Sequence, residues 1–317
     1  IFYLLAVVGF GIWMGRGQRT MSGYLLGGRD LPWWAILGSI VATETSTVTF
    51  LSIPGLAFAQ NVPGQPLDPT VGGNMRFLQL AMGMIIGRWI IVRLLLPRYF
   101  QGKLFTAYQV LHERFGGATK NVASVVFLLA RNLGDGLRLF LTAIVLREVI
   151  GVPLPWCVVI IGLLTIVYTF IGGIKSVVWN DCIQFVVYFG GGFLVLAVVL
   201  TRLPGGLEQL VQFGTEHSKF SVFDFSPDIS VPLTFLAGII GGAFLALGTH
   251  GTDQMMVQRY LCSRNEREAG RALVASGFVV LFQFAVFLFL GVALACFYNQ
   301  FPPSQAFEKA DRVLCSF

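Results

Sequence analysis

Residues 41–55 read VATETSTVTFLSIPG, which places one carboxylate, Glu44, and six hydroxyl side chains inside an otherwise apolar stretch. Hydroxyl and carboxylate oxygens, with the main-chain carbonyls that an unwound helix exposes, are hard ligands suited to a small cation. Three other groupings stand in similarly apolar surroundings. Arg131, Asp135 and Arg138 are spaced i, i+4 and i+7, so they share one helical face. Asp135 can neutralise one of these arginines, leaving the other for a carboxylate elsewhere, such as Glu44, or for an anionic solute. Asp181 lies about a turn and a half into the helix that follows the Gly172-Gly173 turn, too far past the turn for a simple capping role. In residues 241–254, GGAFLALGTHGTDQ, glycines bracket His250 where Asp253 and Gln254 also gather.

These groups need elements to position them, and the composition says which. Of 317 residues, 55% are hydrophobic and 12% charged, against about 45–50% and about 25% in ordinary soluble domains. That balance predicts a polytopic membrane protein. A hydrocarbon core about 30 Å thick takes about 20 mostly apolar residues per helix. Eight stretches qualify, near 1–15, 33–60, 75–97, 121–149, 154–171, 177–201, 233–256 and 272–298. Loops are short and the longest connection is 202–232, so the reading is one transmembrane domain over 1–317 with 202–232 outside.

The net charge of +6 invites a nucleic-acid partner, but its distribution points to topology instead. Arg and Lys gather in alternate loops, with twelve in 16–31, 97–120, 172–176 and 257–271, and four in the opposite set. The basic set is therefore cytoplasmic and residues 1–15 begin outside. Arg76, Arg88 and Arg93 read as side chains snorkelling towards an interface. Five cysteines show no CxxC spacing and the three histidines lie far apart, so neither a disulfide framework nor haem, copper or zinc chemistry is expected. No nucleophile elbow or phosphate loop appears, and the chain is not expected to be an enzyme. The first residue is Ile, and the sequence reads as a piece of a longer chain.

Two spans are interrupted. In the second, Ala42 to Thr47 is a poor helix former at membrane depth, and unwound backbone there must be buried in protein or line a cavity. The competing reading is an unbroken helix whose Ser and Thr bond back to it, with Glu44 paired to a neighbouring arginine. In the seventh, the glycines around His250 weaken the helix, the alternative being close helix packing. Interruptions five spans apart point to inverted repeats of five helices with a binding site between them.

LGGRDLPWWAILGSIVAT, TFLSIPG, GGIKSVVWNDCIQ, and DQMMVQRYL followed by NEREA occur in that order along the chain. Together they resemble the sodium:solute symporter family, whose members carry sugars, proline, monocarboxylates, vitamins, sialic acid and iodide. The resemblance implies an all-α, leucine-transporter-type inverted-repeat core. Residues 1–15 correspond to an extra N-terminal helix, followed by core helices 1 to 7, and the chain stops before core helix 8, whose hydroxyls complete the family's main Na+ site. It also implies that Ala42 and Thr45 offer carbonyls to Na+ and that Asp181 belongs to the inner Na+ path, although Trp-Asn-Asp stands here where Trp-Thr-Asp is usual. Glu44, Ser46 and Thr49 match substrate contacts. Gln79 is a looser match that needs a gap of about two residues, and Thr249 lies where sugar carriers have a gating aromatic.

The expected activity is Na+-driven symport of a small polar organic solute by alternating access, in the cell membrane. Thr249 cannot stack on a pyranose ring, which turns the reading from sugars towards organic anions or vitamins, with Arg138 holding a solute carboxylate. The alternatives are a sugar or amino-acid carrier, and a solute-sensing module that precedes a histidine kinase. The implied partners are Na+, the solute and the bilayer, with no nucleic acid and no obligate protein partner.

Overall fold

A computed structural model describes residues 2–16, 20–62, 64–101, 108–228, 231, 233–303, 307 and 309–317. Arg19 and Lys103, counted among the basic loop residues, lie outside the described residues. The chain is nearly all helix, in the order α1 (Phe2–Met14), α2 (Met21–Leu26), α3 (Trp33–Glu44), α4 (Thr47–Phe58), α5 (Phe77–Leu94), α6 (Leu96–Phe100), α7 (Gln109–Ile150), α8 (Leu154–Arg202), α9 (Gly206–Glu216), α10 (Phe235–Ala246), a π-helical segment (Leu247–Thr252), α11 (Gln254–Leu261) and α12 (Glu266–Gln300).

Among the described residues four helical stretches are long and apolar enough to cross a membrane: Phe77–Leu94, Thr169–Arg202, Phe235–Thr252 and Glu266–Gln300. A fifth span results if α3 and α4 are one broken crossing. The other expected spans fall short of that test for visible reasons. α1 has 13 residues, the apolar Leu154–Val167 is also short, and α7 carries Arg131, Asp135 and Arg138. α7 also runs well beyond the expected 121–149, because helix formation continues where hydrophobicity stops; Gly116, at φ 84°, bends its first part. Gly173, at φ 55° and ψ −160°, divides α8 at the turn that Gly172-Gly173 predicts. A side chain there would meet the steric penalty that glycine avoids.

The chain forms two compact units. The first takes Ile1–Glu44, Arg88–Phe185 and Leu247–Ser276. Its core is aliphatic, with Ile36, Ile40, Ile91, Val257, Leu261 and Leu273 fully buried. The Leu31 amide donates to Cys262 O at 3.2 Å, and Gly38 brings α3 within reach of Cys182 Sγ, which an added Cβ would meet at 3.2 Å. Lipid tails are as apolar as these side chains, so it is close packing rather than removal from water that holds the polar groups of this unit in fixed positions.

The second unit takes Thr45–Gly87, Val186–Ala246 and Gly277–Phe317. Here helices approach through glycine. A Cβ on Gly83 would lie 2.3 Å from Ile239 O, one on Gly242 2.1 Å from Leu80 O, and one on Gly291 2.0 Å from Pro54 O. The described part of the connection after α8 contains α9 and Lys219, which is fully buried. Its Nζ donates to Phe58 O at 2.8 Å and to Gly72 O.

Candidate functional site

The second expected span breaks as the hydroxyl run predicts. α3 ends at Glu44 and α4 begins at Thr47, with Thr45 and Ser46 between them. Ser46 is the N-cap of α4: its Oγ accepts from the Thr49 amide at 3.3 Å, and Thr49 Oγ1 accepts from the Ser46 amide at 3.3 Å. This capping box satisfies donors at the start of α4, so the Ser46 and Thr49 hydroxyls serve the helix end first. The last carbonyls of α3, including that of Ala42, lack the i+4 amides a continuous helix would supply. Thr45 is anchored within the second unit, where Gln283 Nε2 donates to its Oγ1 at 2.9 Å and Tyr188 Oη donates to Gln283 Oε1 at 3.2 Å.

Glu44 belongs to the first unit, and its partner there is Arg88. The expectation that Arg88 snorkels is overturned: its side chain is 0% exposed. Arg88 Nη2 donates to Glu44 Oε2 and lies 3.0 Å from His250 Nε2, and Nη1 donates to Ser276 Oγ at 3.1 Å. His250 Nε2 is also 3.5 Å from Glu44 Oε2. A guanidinium with an aliphatic stem too short to leave the apolar interior must take its counter-charge with it. Arg93 does fit the snorkelling reading, lying over Trp89 at 5.2 Å. Arg76 instead pairs with Asp224 at 2.5 Å.

The seventh span breaks where the glycines gather around His250. Residues Leu247–Thr252 are π-helical, and Asp253 then caps α11, its Oδ1 accepting from the Met255 amide at 2.8 Å. A π turn displaces carbonyls from their usual acceptor roles. Two tyrosines take them up: Tyr99 Oη donates to Gly251 O at 2.6 Å and Tyr260 Oη donates to His250 O. Thr249 lies in this segment.

Asp181 forms a second polar cluster in the first unit. Its Oδ2 accepts from Ser39 Oγ at 2.6 Å, Arg259 Nη2 at 3.1 Å and Thr43 Oγ1 at 3.4 Å. Oδ1 takes part in none of these bonds. Ser39 also accepts from Arg259 Nε at 2.9 Å, so the residues of this cluster that sequence reasoning missed are Ser39, Thr43 and Arg259. The i, i+4 spacing of Ser39 and Thr43 on α3 was a signal for two of them; nothing in the sequence joins Arg259 to Asp181.

On α7, Arg131 donates to Asp135 Oδ2 at 2.9 Å and to Asp253 Oδ2 at 3.2 Å. It is therefore the arginine Asp135 neutralises. Arg138 is half-exposed and lies 3.7 Å from Asp135 Oδ1. Gln79 is buried and its amide bonds main chain: Nε2 donates to Leu233 O at 2.9 Å and to Arg76 O at 3.3 Å, and Oε1 accepts from the Asp224 amide at 3.1 Å. Within the first unit the structure thus brings Glu44 together with Arg88 and His250, and Asp181 together with Ser39, Thr43 and Arg259. Arg138 pairs with neither Glu44 nor Asp181.

The family model for the sodium:solute symporter family matches residues 24–310. The human sodium/iodide cotransporter is 29% identical over 296 residues, 92% of this chain and 43% of that protein. The sodium/sialic acid symporter SiaT of Proteus mirabilis strain HI4320 is 28% identical over 311 residues, 95% of this chain and 58% of that protein. A solved structure described as the substrate-bound outward-open state of a Na+-coupled sialic acid symporter, revealing a novel Na+ site, superposes with a TM-score of 0.84 at 26% identity, covering 99% of this chain and 64% of that one. The chain therefore spans about half the length of the curated relatives it matches.

Proposed function

Since the chain belongs to the sodium:solute symporter family, we propose that the whole protein carries Na+ and a small polar organic solute together across the cell membrane by alternating access. The observation that carries this reading is the break in the helix after Glu44, with Thr45 and Ser46 outside both α3 and α4 and Ser46 capping the start of α4. Half-helix ends of this kind supply carbonyls to Na+ and amide dipoles to polar solute groups in secondary transporters. Na+ is held by the carbonyls of Ala42 and Thr45, and Asp181, with Oδ2 fixed by three donors and Oδ1 outside that network, lines its path inward. Ser46, Thr49 and Thr249 offer hydroxyls to the solute. Glu44 acts there through the geometry Arg88 imposes on it, and Gln79 could reach a solute only by giving up main-chain bonds. The chain is read as one transmembrane domain, with residues 1–15 starting outside and 202–232 outside.

Arg138 supports an anionic solute. Arg88 and Arg131 are engaged by carboxylates, whereas among the described residues Arg138 has only the 3.7 Å approach to Asp135, and two of the relatives are named for iodide and sialic acid. The charge of the solute changes the energetics. One Na+ moving down a 100 mV potential and a tenfold gradient supplies roughly 3.7 kcal/mol. A monoanion carried one-to-one cancels the potential and leaves only the gradient, about 1.4 kcal/mol, so accumulation of an anion beyond tenfold demands a second Na+. Uptake by proteoliposomes holding the full-length protein tests both points. Accumulation should vanish when K+ or choline replaces Na+, and organic acids should compete better than sugars. Uptake indifferent to that replacement would remove the Na+ assignment, and competition by uncharged sugars alone would remove the anion.

A further inference from the structure

We infer that Arg88 is a positioning residue that couples the two interrupted helices, so that a cation bound at Thr45–Ser46 is felt at the π-helical segment through Glu44, Arg88 and His250. The inference rests on the Na+ reading above and goes beyond it, because that reading uses Arg88 only to orient Glu44, links it to no other helix and gives His250 no part in transport.

Glu44 is the last residue of α3, one position before Thr45, and His250 lies inside the π segment. One guanidinium nitrogen, Arg88 Nη2, is within hydrogen-bond distance of both side chains, while Nη1 is held by Ser276 Oγ of α12. All four residues belong to the first unit. With Arg88 donating to Nε2, the imidazole hydrogen is assigned to Nδ1. Arg88, His250 and Ser276 are fully buried, so the guanidinium has no route to water and must follow the carboxylate when α3 shifts. The π segment is in turn gripped through its own main chain, at His250 O by Tyr260 and at Gly251 O by Tyr99. A displacement of the His250 ring is therefore passed to carbonyls whose partners sit on other helices.

The cluster also has atoms in reserve. Glu44 Oε1, Arg88 Nε and His250 Nδ1 are buried without a hydrogen-bond partner among the described residues. A second pairing among the same three side chains is thus available that leaves no charge alone, which is what a two-state element requires. The rigid two-pronged donor of arginine suits this role, since a lysine ammonium is a single point charge.

The test uses full-length protein in proteoliposomes with Na+ alone as the probe and K+ at equal ionic strength as the control. The reporter is Gly248→Cys in the π segment, where an added Cβ meets no atom within 4 Å, read by the rate of maleimide labelling. Cation binding itself is read separately by thermal stabilisation. With Arg88 present, Na+ should change the labelling rate roughly fivefold or more, the usual lower range for coupled sites. Arg88→Lys should keep the stabilisation by Na+ while the labelling response falls below about twofold, and His250→Leu should do the same. His250→Gln, which restores an acceptor for Arg88, should recover part of it. A full labelling response in a folded Arg88→Lys protein overturns the coupling. So does Na+ stabilisation without any labelling response when Arg88 is present. Absence of both effects with Arg88 present removes the Na+ reading itself, and the coupling falls with it.

Discussion

Arg88→Met is the sharpest perturbation the structure offers. The wild-type guanidinium is 0% exposed and the Glu44 side chain 12% exposed. Methionine fills much of the stem's volume, so the change is chiefly electrostatic and leaves a carboxylate whose nearest remaining polar partner is His250 Nε2 at 3.5 Å. Removing one member of a buried pair costs about 3–5 kcal/mol. The loss of Arg88 Nη1 from Ser276 Oγ adds little, because that hydroxyl also donates to Leu273 O at 2.7 Å. Removing both charges should cost far less, since a buried pair replaced by apolar side chains of similar size is often neutral or better. The Glu44→Leu/Arg88→Met double variant is therefore expected to lie within about 1 kcal/mol of wild type, which makes the interaction energy about 5 kcal/mol or more in magnitude, beyond the roughly 0.5–3 kcal/mol usual for coupled residues. Denaturation of the full-length protein in detergent, measured for wild type, both single variants and the double, closes the cycle. A double variant as unstable as Arg88→Met alone would refute the idea that unpaired charge is the cause. A single variant within about 0.5 kcal/mol of wild type, the range typical of surface positions, would refute the burial on which the argument stands.

Two further outcomes follow from other positions. Gln283→Leu removes the amide that holds Thr45 Oγ1; it should cost about 1–3 kcal/mol and raise the Na+ concentration needed for half-maximal thermal stabilisation, and an unchanged Na+ titration would disconnect Thr45 from the cation. Lys219 is held by burial at a pKa of about 8, below the usual lysine range. Because the unfolded chain binds the extra proton between about pH 8 and about pH 10.4, the stability linked to this residue is fully present above that window and is lost as pH falls through it. Wild type should therefore gain stability relative to Lys219→Met between about pH 8 and about pH 10, and parallel pH profiles would contradict the shift.

Much of the architecture was legible because it is local. The hydroxyl run after Ala42 announces a break by poor helix propensity, and the break lies at Thr45–Ser46. Glycines around His250 announce the second, which takes the form of a π segment, and Gly172-Gly173 announces the turn in α8. What was not legible is which charges meet. Arg88 looked like a snorkelling residue because burial of a lone arginine in an apolar helix cannot be told from exposure without knowing what faces it. Its partners are 44 and 162 positions away. Arg131 and Arg138 have equal claims on Asp135 by spacing, and the structure separates them through Asp253, which belongs to another helix. Gln79 read as a solute contact, yet its amide bonds main-chain groups about 150 positions further along.

Lys219 has a practical consequence for any experiment that exchanges the salts of the medium. The carbonyls of Phe58 and Gly72 converge on a positive charge that is covalently attached to the chain, so this corner of the second unit does not draw a cation from solution. Exchanging Na+ for K+ or choline leaves that ammonium in place. A response to ion substitution then reports on cations that come and go, and the contact between Lys219 and the end of α4 serves as an internal reference that the exchange does not disturb.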